Sequence, residues 1–160
     1  MAYPNPGSQD AQALTAIGWG FRVDRATDTL PQGGGAGAQE ALFTVVGGRC
    51  EVRILGEVTV AIQNQANNTK LIHNVGTGTD SDLCSVLSIA NDEVGTLYTL
   101  INPVVVGTAL VGAGQYAATP GAVVLKPGTI DLHCLASNTG EVKWTCWYKP
   151  LDEGAYVVAA

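Results

Sequence analysis

Charge is scarce in this sequence. Asp, Glu, Lys and Arg make up 14% of the 160 residues, against about a quarter in ordinary globular domains. The eight Lys and Arg residues are scattered and form no basic stripe that could neutralise phosphates. The net charge of −6 also disfavours adhesion to an anionic membrane. We therefore expect no direct contact with nucleic acid or with a membrane.

Long apolar runs are missing as well. A membrane helix needs about 20 apolar residues, whereas the apolar segment 104–113 is short and broken by Gly107 and Gly112. The N-terminus has neither the basic nor the apolar region of a secretory signal, so we expect synthesis in a cytoplasm. There reduced thiols are the rule, and no C-x-x-C motif is present. We predict small apolar core residues at all four cysteines, which are Cys50, Cys84, Cys134 and Cys146.

Residues with catalytic chemistry are few. The two histidines, His73 and His133, and the four cysteines lack the spacing of a zinc site. There is no G-x-S-x-G, and the glycine run 33–37 is not followed by Lys-Ser or Lys-Thr. Two carboxylate pairs fall in predicted turns, Asp80 with Asp82 and Asp92 with Glu93. We predict that the chain is not an enzyme and holds no catalytic residue, metal or cofactor.

Val, Thr, Ala and Gly are abundant, which is the composition of short strands and tight turns. About ten short strands with frequent turns predict an all-β fold, a single-domain β-sandwich or jelly roll. We expect residues 1–18 to form an extended N-terminal arm, with room for one short helix from Ser8 to Ala16. Residues 19–160 are expected to form the β-sandwich domain, with a Gly-rich loop over 31–39.

Two hairpins are predicted from the alternation of apolar residues. The segments 41–46 and 49–54 flank Gly47-Gly48, a two-residue turn signal that would pair Val45 with Cys50. Their shared apolar face would hold Ala41, Phe43, Val45, Cys50, Val52 and Ile54.

The second predicted hairpin joins 129–137 to 141–149 around Asn138-Thr139-Gly140 and pairs Cys134 with Trp144. Even-numbered residues would then face the core. Leu135 and Trp147 would be apolar exceptions on the polar face, where such a pair marks a contact with another sheet or subunit.

Four residues are therefore candidates for an interface: Trp19, Phe21, Leu135 and Trp147. Trp19 and Phe21 share one face of a predicted half-buried strand, 19–24. Exposed aromatic rings also serve carbohydrate-binding platforms, so Trp147 or Trp19 fits a sugar site as well as a protein contact.

Several segments resemble a family of small virion proteins of tailed bacteriophages, the capsid decoration or cement proteins. The similarity covers most of the chain from about Trp19 and does not include the arm at 1–18. It lies in the stretches 21–32 (FRVDRATDTLPQ), 42–49 (LFTVVGGR), 56–59 (GEVT), 82–84 (DLC), 127–130 (PGTI), 143–144 (KW) and 148–155 (YKPLDEGA).

The resemblance implies a β-rich protein on the capsid exterior, commonly a homotrimer at three-fold or quasi-three-fold positions. The expected partners are the major capsid protein and further copies of the same chain. The sparse charge agrees with a docked protein, because interfaces are depleted in Lys and Glu. A head-fibre or tail module that binds a receptor or carbohydrate is the alternative.

Overall fold

The computed structural model describes residues 20–32, 37–100, 110–112 and 121–160. These residues form strands and no helix, in two antiparallel six-stranded sheets packed face to face. The prediction of an all-β, single-domain β-sandwich is confirmed. The predicted arm at 1–18, Trp19 and most of the segment 104–118 lie outside the described residues.

The first sheet has the order β1-β11-β3-β7-β8, with the short β9 paired to the start of β3. Its strands are β1 (Phe21–Thr29), β3 (Cys50–Val60), β7 (Leu97–Leu100), β8 (Leu110–Gly112), β9 (Val123–Leu125) and β11 (Glu141–Pro150). The long central strands β3 and β11 pair along their whole lengths.

The second sheet has the order β12-β2-β10-β4-β5, with the short β6 paired to the start of β4. Its strands are β2 (Ala38–Val46), β4 (Asn68–Asn74), β5 (Ser81–Asp82), β6 (Leu87–Ser88), β10 (Gly128–Cys134) and β12 (Tyr156–Ala159). β12 brings the end of the described chain into this sheet, beside β2. Residues 83–86 separate the two short strands β5 and β6.

The core lies between the sheets, where every second residue of a strand points inward. Gly56 stands in the inward row of β3, and a Cβ there would lie 2.7 Å from Cζ3 of Trp144. The missing side chain leaves room for the indole, which stacks on Tyr98 with ring centroids 6.3 Å apart. β3 accordingly runs unbroken through Gly56.

The predicted hairpin around Gly47-Gly48 is wrong. β2 pairs with β10 and β12 in the second sheet, and β3 pairs with β11, β7 and β9 in the first, so the chain crosses between sheets at the two glycines. Of the predicted core side chains, Phe43, Val45, Cys50, Val52 and Ile54 are nevertheless buried, whereas Ala41 is half-buried.

The second predicted hairpin is wrong in the same way. β10 belongs to the second sheet and β11 to the first, so Cys134 does not pair with Trp144. Instead of bonding across a hairpin, the Asn138 amide donates to the carbonyls of Gln63 and Gln65 at 3.3 and 2.8 Å. An alternating strand buries its apolar face equally well beside a paired neighbour or opposite a strand of the other sheet. Periodicity therefore predicted the buried face and could not predict the partner.

Candidate functional site

Phe21 lies at the edge of the first sheet, in β1. Its ring is half-buried, packs against the core and lies 5.4 Å from the ring of Tyr148. The side chain thus faces the inside of the sandwich. The interface role proposed for Phe21 and for Trp19 stays a prediction.

The structure does not bring Leu135 and Trp147 together. Leu135 follows β10 in the second sheet and is 41% exposed, whereas Trp147 lies in β11 of the first sheet and is 9% exposed. Trp147 pairs in register with Arg22 on one side and Arg53 on the other. The prediction of one exposed apolar pair is wrong, because it depended on a hairpin that does not form. Of these two residues, Leu135 is the one exposed enough to contact another subunit.

The two histidines occupy different places in the second sheet. His73 is buried, and its Nε2 lies 3.1 Å from the carbonyl oxygen of Lys126, so Nε2 carries the proton that it donates. The His133 ring packs closely against Gly37, where a Cβ would lie 2.6 Å from Nε2. Among the described residues no group of three or more His, Cys, Asp or Glu could hold a metal ion.

All four cysteines are buried thiols outside any disulfide, as predicted for core residues. Burial raises the pKa of the Cys50 thiol to about 11 and also raises the pKa of Cys146. The thiolate is the reactive form of cysteine. These side chains therefore serve packing, and Cys84 also accepts a hydrogen bond from the Leu71 amide at 3.2 Å.

The outer face of the second sheet carries a buried carboxylate. Asp131 in β10 is 4% exposed. Its Oδ2 accepts hydrogen bonds from Gln39 Nε2 at 2.6 Å and, more weakly, from Asn74 Nδ2 at 3.5 Å. The cluster joins β2, β10 and β4, three neighbouring strands. The hydrogen bonds of this cluster link the three strands.

One end of the sandwich is closed by amide side chains, and we call residues 60–69, 85–96 and 134–140 the amide end. Asn67 donates from Nδ2 to the Ala136 carbonyl at 2.9 Å and accepts from the Ala136 amide at 3.1 Å. Asn91 Nδ2 donates to Asn64 Oδ1 at 2.9 Å. Backbone bonds from Ile62 to Asp92 and from Gln63 to Thr139 join the same three segments. The amide end is a connected polar network.

The carboxylate of Asp92 lies inside this network. The hydroxyl of the buried Tyr98 donates to Asp92 Oδ2 at 2.5 Å. Burial raises the pKa of Asp92, although the hydrogen bond from Tyr98 opposes the shift. Burial, followed by the bond to Asp92, also raises the pKa of Tyr98.

The opposite end carries exposed charge. We call residues 47–49, 75–80, 126–128 and 150–155 the charged end. Asp152 Oδ2 accepts from the Arg49 backbone amide at 2.7 Å, and its Oδ1 accepts from Arg49 Nη2 at 2.7 Å. The side-chain bond from Arg49, followed by the backbone bond, lowers the pKa of Asp152 to about 2. This ion pair joins two of the connections that cross between the sheets, β2 to β3 and β11 to β12.

The exposed large apolar side chains of the described residues are all aliphatic. They are Val60, Val86, Val94, Val124, Leu135, Leu151 and Val158. Four of these, Val60, Val86, Val94 and Leu135, belong to the amide end. The aromatic rings of the described residues are buried or half-buried.

Comparison of the chain with protein-family models, with curated proteins and with solved structures finds no match. The part of the chain that the structure describes has no helix long and apolar enough to cross a membrane.

Proposed function

We propose that this chain is a structural protein of a tailed-phage virion, which decorates and stabilises the outer surface of the capsid. It acts as a homotrimer that bridges capsomers and binds the major capsid protein, and it has no enzymatic role. The resemblance of its segments to capsid decoration proteins and its low charge support this proposal. It is made in the host cytoplasm and resides on the capsid exterior.

One observation favours a protein contact over a sugar site. The exposed apolar side chains among the described residues are Val and Leu, with no exposed aromatic ring. A carbohydrate platform uses the flat face of an aromatic ring. Of the two rings suggested for it, Trp147 is 9% exposed and Trp19 lies outside the described residues. Aliphatic side chains gain free energy by burial against another protein surface, about 25 cal/mol per Å². This favours capsid association over the alternative of a head-fibre or tail module that binds a receptor or carbohydrate.

The mechanism follows from the position of such a trimer across the joint between capsomers. Packaged DNA pushes capsomers apart, and separation would expose the apolar surface that the trimer buries. Because exposure of that apolar area costs free energy, the bound trimer opposes separation of the capsomers. A β-sandwich suits this role because its paired strands keep the contact surface rigid.

The test uses capsids that lack the protein. The recombinant chain is added, unbound protein is removed by sedimentation, and DNA release on heating is followed with a DNA-binding dye. We expect the chain to co-sediment and to raise the temperature of DNA release. No co-sedimentation, or an unchanged release temperature, contradicts the proposal, and binding of the same preparation to a glycan array would support the alternative.

A further inference from the structure

The amide end is unusual for a solvated surface because it has almost no charge. Asp92 and Glu93 are its two charged residues, and it contains no Lys or Arg. Asp92 is half-buried and accepts a hydrogen bond from Tyr98, so Glu93 is the exposed charged residue of the amide end. Freely solvated surfaces are about a quarter to a third charged, whereas the centres of protein interfaces are depleted in Lys, Glu and Asp. The amide end therefore has the composition of a contact surface.

The same surface is held in place before any contact is made. Asn67 and Asn138, both fully enclosed, bond to backbone groups of the facing segments. The Gln63 side-chain oxygen accepts from the amide and the hydroxyl of Thr139, both at 3.3 Å. Binding costs less when the contact loops are already ordered. The exposed Val94 and Leu135 are thus presented on a fixed frame.

Charge indicates which partner the amide end fits. A basic or acidic partner would find almost no counter-charge there. Two copies of this chain each carry −6 and repel one another, and the repulsion is weakest where both surfaces are uncharged. Residues close to a symmetry axis also meet their own copies, so a charge there faces a like charge. The charged end exposes Asp80, Lys126 and Glu153. A self-contact there would bring these charges close to their own copies.

We propose that the amide end is the surface through which copies of this chain contact one another. The inference rests on the proposed function, which it deepens by assigning the self-contact to one end of the sandwich. Val94 and Leu135, 61% and 41% exposed, supply apolar area. The surrounding amides accept and donate hydrogen bonds across the contact without burying charge.

The test is sedimentation velocity on the full chain and on variants that place a cation in this surface. Val94→Lys and Leu135→Lys each put like charges near each other in the assembly. Val124→Lys is the matched control, since Val124 is 55% exposed on β9, outside the amide end. Circular dichroism and thermal melting show whether each variant is folded.

We expect the wild type and Val124→Lys to sediment as the same oligomer. Val94→Lys and Leu135→Lys should weaken self-association about tenfold or more, which corresponds to about 1.4 kcal/mol. A wild type that stays monomeric up to its solubility limit overturns the inference. So does an unchanged oligomer in both amide-end variants.

Capsid binding by the same samples separates this inference from the proposed function. A wild-type oligomer that is lost in Val94→Lys but never binds capsids supports the self-contact and refutes the decoration role. A monomeric wild type whose capsid binding is lost in Val94→Lys assigns the amide end to the capsid protein instead. That result overturns the self-contact and leaves the decoration role in place.

Discussion

The amide of Asn67 connects two segments that are distant in sequence. Its side chain is fully enclosed and makes two hydrogen bonds with the backbone of Ala136, as donor to the carbonyl and as acceptor from the N–H. This pair of bonds extends the antiparallel β4–β10 ladder, which ends at Thr69 and Cys134, because Asn67 and Ala136 stand opposite each other in the same register. Replacement of Asn67 by alanine should therefore loosen the pairing of β4 with β10 at this end of the second sheet.

The magnitude follows from the two backbone groups of Ala136 that would lose their partner. A buried group left without a hydrogen bond costs about 1–3 kcal/mol, and Ala136 is half-buried. We expect Asn67→Ala to lower the free energy of unfolding by about 2–4 kcal/mol. For a domain of this size that corresponds to a fall in Tm of about 4–16 °C.

Urea unfolding and calorimetry measure the effect, and Asn68→Ala is the matched control. Asn68 is the adjacent residue, exposed at the start of β4, and its replacement should change the stability by less than about 0.5 kcal/mol. Asn67→Asp keeps the acceptor for the Ala136 N–H. It replaces the donor Nδ2 by a carboxylate oxygen, which then faces the Ala136 carbonyl oxygen. It should be destabilised at neutral pH and recover in acid. Equal stability of Asn67→Ala and Asn68→Ala would refute the reasoning.

Two further predictions concern the core and the charged end. Gly56→Ala would place a methyl group 2.7 Å from the Trp144 ring and should cost about 1–3 kcal/mol by overpacking. The double variant Gly56→Ala/Trp144→Phe should recover part of the loss, and an unchanged Tm in the single variant would contradict the tight contact. The pKa of Asp152 is about 2 in the folded chain against 3.8 unperturbed, so its bond to Arg49 contributes stability above pH 3.8 that is lost as the pH falls towards 2. Asp152→Asn should flatten this part of the stability–pH curve measured by urea unfolding, and an unaltered curve would show that the ion pair makes no such contribution.

The sequence by itself determined the fold class and the buried faces. Val45, Cys50 and Val52, and likewise Ile130 and Trp144, were predicted to be core residues from a period of two, and all are buried. This succeeds because burial of an alternating strand depends on its own side chains. The four cysteines were predicted as core thiols because no C-x-x-C motif is present and a reduced thiol behaves as a small apolar side chain, and all four are buried.

Only the tertiary structure decided which strands pair. Gly47-Gly48 and Asn138-Thr139-Gly140 are good hairpin signals, yet at both places the chain passes from one sheet to the other. The contacts that accompany these crossings come from residues distant in sequence: Asp152 binds Arg49, and the carbonyls of Gln63 and Gln65 bind Asn138. The alternation of residues within one strand cannot predict such contacts. The candidate surface changed with the pairing. Trp147 became buried. The amide end has only two charged residues, and side-chain bonds that span up to 76 positions in sequence hold it together, among them that of Asn67 to Ala136.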